Sequence, residues 1–136
     1  MNALSSFGPL VGRILMALIF VMSGFGKITG FEGTVGYIAS KRLPMPELHA
    51  SGAIFVELGR GNMLNIGWNA RWSAAAIFVF TAMAALFFHN FWAVPPNEAQ
   101  NQMINFMKNI SMMGGLLYVV VHGSGPFSLS RNTARF

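Results

Sequence analysis

Glu57 is the residue in this sequence best placed to handle a proton. It stands ten residues into an apolar run, with Arg60 three positions further on. At ~1.5 Å of rise per helical residue, that puts the carboxylate ~15 Å deep, near the middle of a bilayer. Two roles fit a carboxylate at that depth. It could pair with Arg60, which the i, i+3 spacing brings to the same face, and so lock helix packing. It could instead carry a proton or bind a ligand, as intramembrane ionisable groups commonly do. His89, followed by Asn90 and Trp92, is a second candidate. It reads either as an interfacial histidine among the belt aromatics Phe87, Phe88, Phe91 and Trp92, or as a proton shuttle or hydrogen-bond donor to a quinone-like head group. Lys108 is the third, on a stripe with Asn105, Met112 and Gly115 and with Asn109 beside it. Lys27 follows Ser23 by one helical turn. Lys27, His89, Asn105 and Lys108 fall at the same end of their helices, so inward-facing side chains would build one electropositive pocket, with Glu57 below as counter-charge. The alternative is two lysines snorkelling to the surface.

Other chemistries lack their residues. The chain has no cysteine, which removes thiol redox chemistry, thiolate metal sites and Cys nucleophiles. His49, His89 and His122 lie on three separate segments without metal-ligand spacing, so no metal site is expected. No phosphate loop, dinucleotide fingerprint or nucleophile elbow is present. The net charge of +5 comes from scattered basic residues, which do not form the clustered face that nucleic-acid binding needs.

The elements that must position these groups are membrane helices. The 136 residues are 54% apolar and only 10% charged, too few charges to cover a soluble domain. Four apolar runs of the ~20 residues a bilayer requires fall at about 9–28, 47–67, 73–92 and 103–122. The second is the most polar, holding Glu57, Arg60, Asn62 and Asn65 over a wide arc. The first is read as a retained span, because no small-residue cleavage site follows and Lys27 interrupts its end. In the first connection Phe31, Val35 and Ile38 make one apolar stripe, the pattern of a short helix on the membrane surface. The tail, 123–136, is basic and rich in Gly, Ser and Pro, and is expected to be a mobile or surface segment. The expected fold is a single all-α domain, an integral membrane four-helix bundle with a short interfacial helix. Counting Arg13, Arg71, Arg131 and Arg135 against Lys27, Lys41, Arg42 and Lys108 gives nearly a tie, and the amino-terminal end tips it toward cytoplasmic termini.

Taken in order, Arg13-Ile-Leu-Met-Ala-Leu-Ile-Phe, Ser23-Gly-Phe-Gly-Lys27, Gly30-Phe-Glu-Gly-Thr-Val-Gly, Glu57-Leu-Gly, Phe88-His-Asn-Phe-Trp92, Asn105-Phe-Met-Lys-Asn109 and Gly125-Pro-Phe-Ser resemble the DoxX family over about residues 9–130. The resemblance implies a four-helix protein of the bacterial cytoplasmic membrane. It also implies that Lys27, Glu57, His89, Trp92, Asn105, Lys108 and Asn109 occupy recurring polar positions. The family takes its name from a subunit of a thiosulfate:quinone oxidoreductase, which makes a quinone the cofactor to expect, none being encoded in the chain itself. The sequence departs from the family after Glu57-Leu-Gly, where Arg60-Gly-Asn-Met-Leu-Asn replaces glycine and a run of leucines. Three functions compete: a quinone- or proton-handling component of a membrane oxidoreductase, a non-catalytic subunit of a larger complex, and, ranked last, a small-solute transporter. Expected partners are the lipid bilayer and other membrane subunits or further copies of the chain, with no nucleic acid.

Overall fold

The computed structural model describes residues 2–129, which are helical with no strand among them. Helix α1 runs from Ala3 to Thr29, and the Asn2 side chain caps it by accepting from the Ser5 N–H at 2.9 Å. Helix α2, Phe31–Ser40, follows after one residue. It is the short helix expected in the first connection, with Ile38 buried and Phe31 and Val35 half-buried on its inner stripe. Then come α3 (Pro46–Ile54), a π-helical segment (Phe55–Arg60) and α4 (Gly61–Ile66). Gly67, at φ +73°, ends α4 in the left-handed conformation that glycine adopts without strain. Helix α5, Ala70–Phe88, leads through a 3-10 turn, Phe91–Ala93, to α6, Pro96–His122.

Three stretches are long and apolar enough to cross a membrane: Ala3–Thr29, Ala70–Ala93 and Pro96–His122. The expected second span behaves differently. Its helical path from Pro46 to Ile66 has no gap but is divided by the π-helical segment, and its polar residues keep it outside that class. Helices α1 and α6 begin earlier than the apolar runs suggested, because hydrophobicity marks the lipid-facing length and not where backbone hydrogen bonding starts.

Small side chains let the helices approach. Ala17, Phe20, Leu64, Ala70, Ala74, Ile77 and Leu116 form the buried cluster. Helix α5 packs on α6, and α1 packs on α4 and the π-helical segment. At Gly24 the helix meets backbone: a Cβ there would lie 2.9 Å from the Leu58 backbone nitrogen. The outside is apolar, with Leu15, Met22, Phe25, Val79 and Leu86 exposed, as lipid allows and water does not.

The described part of the tail, 123–129, lies at the surface, with Phe127 and Leu129 exposed, and is tied to the helices. It folds back over one end of the helices. Arg13, only 2% exposed, donates to the carbonyls of Ser124 and Phe127. Leu129 N–H bonds to Ile66 O at 3.1 Å, and Phe127 stacks on Phe7. Arg71, 7% exposed, donates to Val120 O and Val121 O at 3.0 and 2.8 Å. Both arginines, counted above as flanking surface charges, therefore serve carbonyls that the end of α6 and the turn after it leave without helical partners. Arg131 and Arg135 lie outside the described residues.

Candidate functional site

Glu57 sits in the first turn of the π-helical segment. Hydrogen bonds from i to i+5 widen the backbone there, a distortion that recurs at functional sites. The widened turn moves Arg60 off the face that Glu57 occupies. The i, i+3 pair expected between them does not form. Arg60 instead directs its guanidinium to the Met63 sulfur at 3.7 Å. The partner of Glu57 is Lys27, whose Nζ lies 2.8 Å from Oε2. Gly24 permits this, because a side chain one turn earlier on α1 would hold the two helices apart. Ser23 completes the group. Its hydroxyl accepts from Lys27 Nζ at 2.7 Å and donates to Glu57 Oε1 at 3.1 Å. Glu57 is only 5% exposed while 26% of the Lys27 side chain remains accessible, so the unit is buried at its anion and partly open at its cation.

This unit lines a cavity of about 980 Å³. The walls are mostly apolar, including Phe20, Ile38, Val56 and Phe80. Large, mostly apolar enclosures with a few convergent polar groups are the usual form of a small-molecule site. Two further polar groups reach the cavity from α5 and α6. Thr81 is 2% exposed, and Asn109, 8% exposed, donates to Thr81 O at a long 3.4 Å. Tyr37, His49 and His89 line it as well. His89 Nδ1 is 2.9 Å from Gln102 Oε1, which orients the ring. Burial, and then the nearby Glu98 carboxylate, push the Tyr37 phenol above its ordinary pKa.

Of the expected site residues, the structure thus brings Lys27, Glu57, His89 and Asn109 to one cavity. It leaves out three others. Lys108 is exposed on the opposite side of α6, in a shallow groove with Met103, Ile104, Met107 and Ser111. With Asn109 turned inward, its neighbour is rotated by about 100° and faces out. Asn105 does not line the cavity. Trp92 is 58% exposed and packs edge-on against Phe91 and Phe106, in the manner of a belt aromatic. The sequence reading did not single out Ser23, Tyr37, His49 or Thr81 as site residues. Thr81 had a visible signal, a hydroxyl in the middle of an uncharged apolar run. Ser23 had another, its place one turn before Lys27. Among the described residues, no three His, Asp or Glu side chains converge as a metal site would require.

The DoxX family model matches residues 8–90, and the SURF4 family model matches residues 53–136. The chain is 37% identical over 122 residues to "Inner membrane protein YphA" of Escherichia coli (strain K12), covering 90% of this chain and 87% of that one. It is 35% identical over 131 residues to "Inner membrane protein YqjF" of the same organism, covering 96% and 95%. It is 33% identical over 69 residues to "Surfeit locus protein 4 homolog" of Schizosaccharomyces pombe, covering 49% and 23%. No solved structure matches the chain significantly.

Proposed function

The chain belongs to the DoxX family, and from that membership we propose that it is an inner-membrane component of an oxidoreductase system that binds a quinone and handles its protons. The observation that carries this reading is the Lys27–Ser23–Glu57 unit on the wall of a large apolar cavity. A quinone when bound supplies two-electron, two-proton redox chemistry. The chain's own part is to bind the ring among apolar side chains, to donate a hydrogen bond from Lys27 Nζ to a carbonyl, and to hold a proton at the Glu57 carboxylate. His89 and Tyr37 are the groups that would pass protons between the cavity and the nearer surface. With no cysteine in the chain, electrons enter through a partner subunit.

In this reading the helical path from Pro46 to Ile66 is a fourth crossing. At ~1.5 Å per residue it is about 30 Å long, the thickness of the hydrocarbon layer. Four crossings make a four-helix bundle with both termini on the cytoplasmic side. Titration of the purified protein in nanodiscs with menadione is the test. Wild type is expected to bind, with Lys27→Met and Glu57→Gln each weakening binding about tenfold or more. Absence of wild-type binding would sink the reading.

One observation favours a second role, as a non-catalytic subunit of a larger complex. Lys108 is exposed in an apolar groove of a spanning helix and makes no ion pair among the described residues. A partner helix bearing a polar or acidic group would relieve the cost of that charge. Purification from native membranes in mild detergent separates the cases: recovery only as a free monomer or homo-oligomer would eliminate this one.

A further inference from the structure

The threonine hydroxyl of an apolar helix ordinarily bonds to the carbonyl one turn back. That of Thr81 does not. Thr81 lines the cavity, and its Oγ1, buried just behind that wall, has no hydrogen-bond partner among the described residues. A buried hydroxyl left without a partner costs free energy, which an acceptor on a ligand would relieve. Asn109 is close by and nearly as underused. Its one contact is the 3.4 Å donation to Thr81 O, which leaves the second N–H and the side-chain carbonyl free for another partner. These two residues stand on α5 and α6, whereas the Lys27–Ser23–Glu57 unit stands on α1 and the π-helical segment. One cavity is therefore served by two separate polar groups from two separate helix pairs.

We propose that Thr81 and Asn109 form a second polar pole of the site, and that the ligand carries two hydrogen-bond acceptors, one for each pole. This rests on the reading of the cavity as a quinone site and narrows it. Lys27 donates to one ring carbonyl, and the Thr81 hydroxyl with the Asn109 amide donates to the other. A ring with two opposed carbonyls satisfies both poles, and a ring with one leaves the Thr81 pole unmet. Discrimination by a lost hydrogen bond is steep because a buried polar group of the protein is then stranded.

The experiment compares menadione, with two ring carbonyls, and 2-methyl-1-tetralone, a related bicyclic ring with one. The cysteine-free chain spares menadione its usual reaction with thiols. Wild type is expected to bind menadione about tenfold tighter than the tetralone. In Thr81→Val and Asn109→Leu that preference falls to about twofold or less, through loss of menadione affinity alone. Thr81→Val also raises the melting temperature of the ligand-free protein, because it removes the unmet hydroxyl at constant volume. A site residue kept only for packing would not combine higher stability with weaker, less selective binding. If wild type binds the two compounds equally, or if both variants keep the preference, the second pole is wrong while the quinone site stands. If wild type binds neither compound, both proposals fall.

Discussion

Lys27 and Glu57 meet at 2.8 Å where little water reaches them. Removing one partner strands the other charge, which costs about 3–5 kcal/mol in a fully buried pair. The loss is smaller here, because 26% of the Lys27 side chain remains exposed. Lys27→Met is therefore expected to lower the melting temperature clearly, and Lys27→Met with Glu57→Leu to recover most of it. A double variant as unstable as the single one would contradict a simple pair. Tyr37 offers a second residue-scale check. In a Tyr118→Phe background it is the remaining phenol, and its ultraviolet titration should lie above the ordinary phenol value of about 10. Glu98→Gln should bring it part of the way down, since a nearby carboxylate disfavours the phenolate. Glu57 was legible as a special residue from its depth in an apolar run. Its partner was legible only loosely, as counter-charge to the Lys27 end, because helical spacing speaks only of neighbours on the same helix, and Lys27 comes from another.

The π-helical segment is the element that separates expectation from structure. Regular 3.6-residue periodicity assigns Glu57 and Arg60 to one face, and nothing in Phe55-Val-Glu-Leu-Gly-Arg60 announces a wider turn. The short helix α2 was legible, by contrast, because Phe31, Val35 and Ile38 repeat at the helical period and do become its inner stripe. The contact of α1 with the π-helical segment makes its own prediction. Gly24→Ala places a methyl group 2.9 Å from a backbone nitrogen, which forces the helices apart at a cost of about 1–3 kcal/mol. Gly26→Ala, two residues on, meets nothing within 4 Å and should stabilise α1 by about 1 kcal/mol through helix propensity. Thermal melting in detergent should therefore move in opposite directions for the two alanines.

At the scale of the whole molecule, composition alone gave the membrane class, and the apolar outer surface agrees with it. The number of crossings was harder to read, since polar residues that face a cavity lower the hydropathy of a helix as effectively as exposure to water does. The proposed fourth crossing has a consequence that is easy to measure. An odd number of crossings puts the termini on opposite sides, and an even number puts them together. Single cysteines at Asn2 and at Phe136, introduced into a chain that has none, can be probed with a membrane-impermeant thiol reagent in sealed vesicles. Equal protection of both is the expected result, and opposite labelling would leave three crossings.

The clasp between Arg13 and the carbonyls of Ser124 and Phe127 joins residues 111 and 114 positions apart. It therefore sets a timetable for biosynthesis. The ribosome delivers Arg13 more than a hundred residues before its acceptors, so until they emerge the guanidinium must find temporary shelter, in lipid head groups or in the insertion machinery. Only when the loop holding Ser124 and Phe127 arrives can α1 settle. Chains arrested before Ser124 should hold Arg13 accessible to the aqueous phase, and completed chains should not.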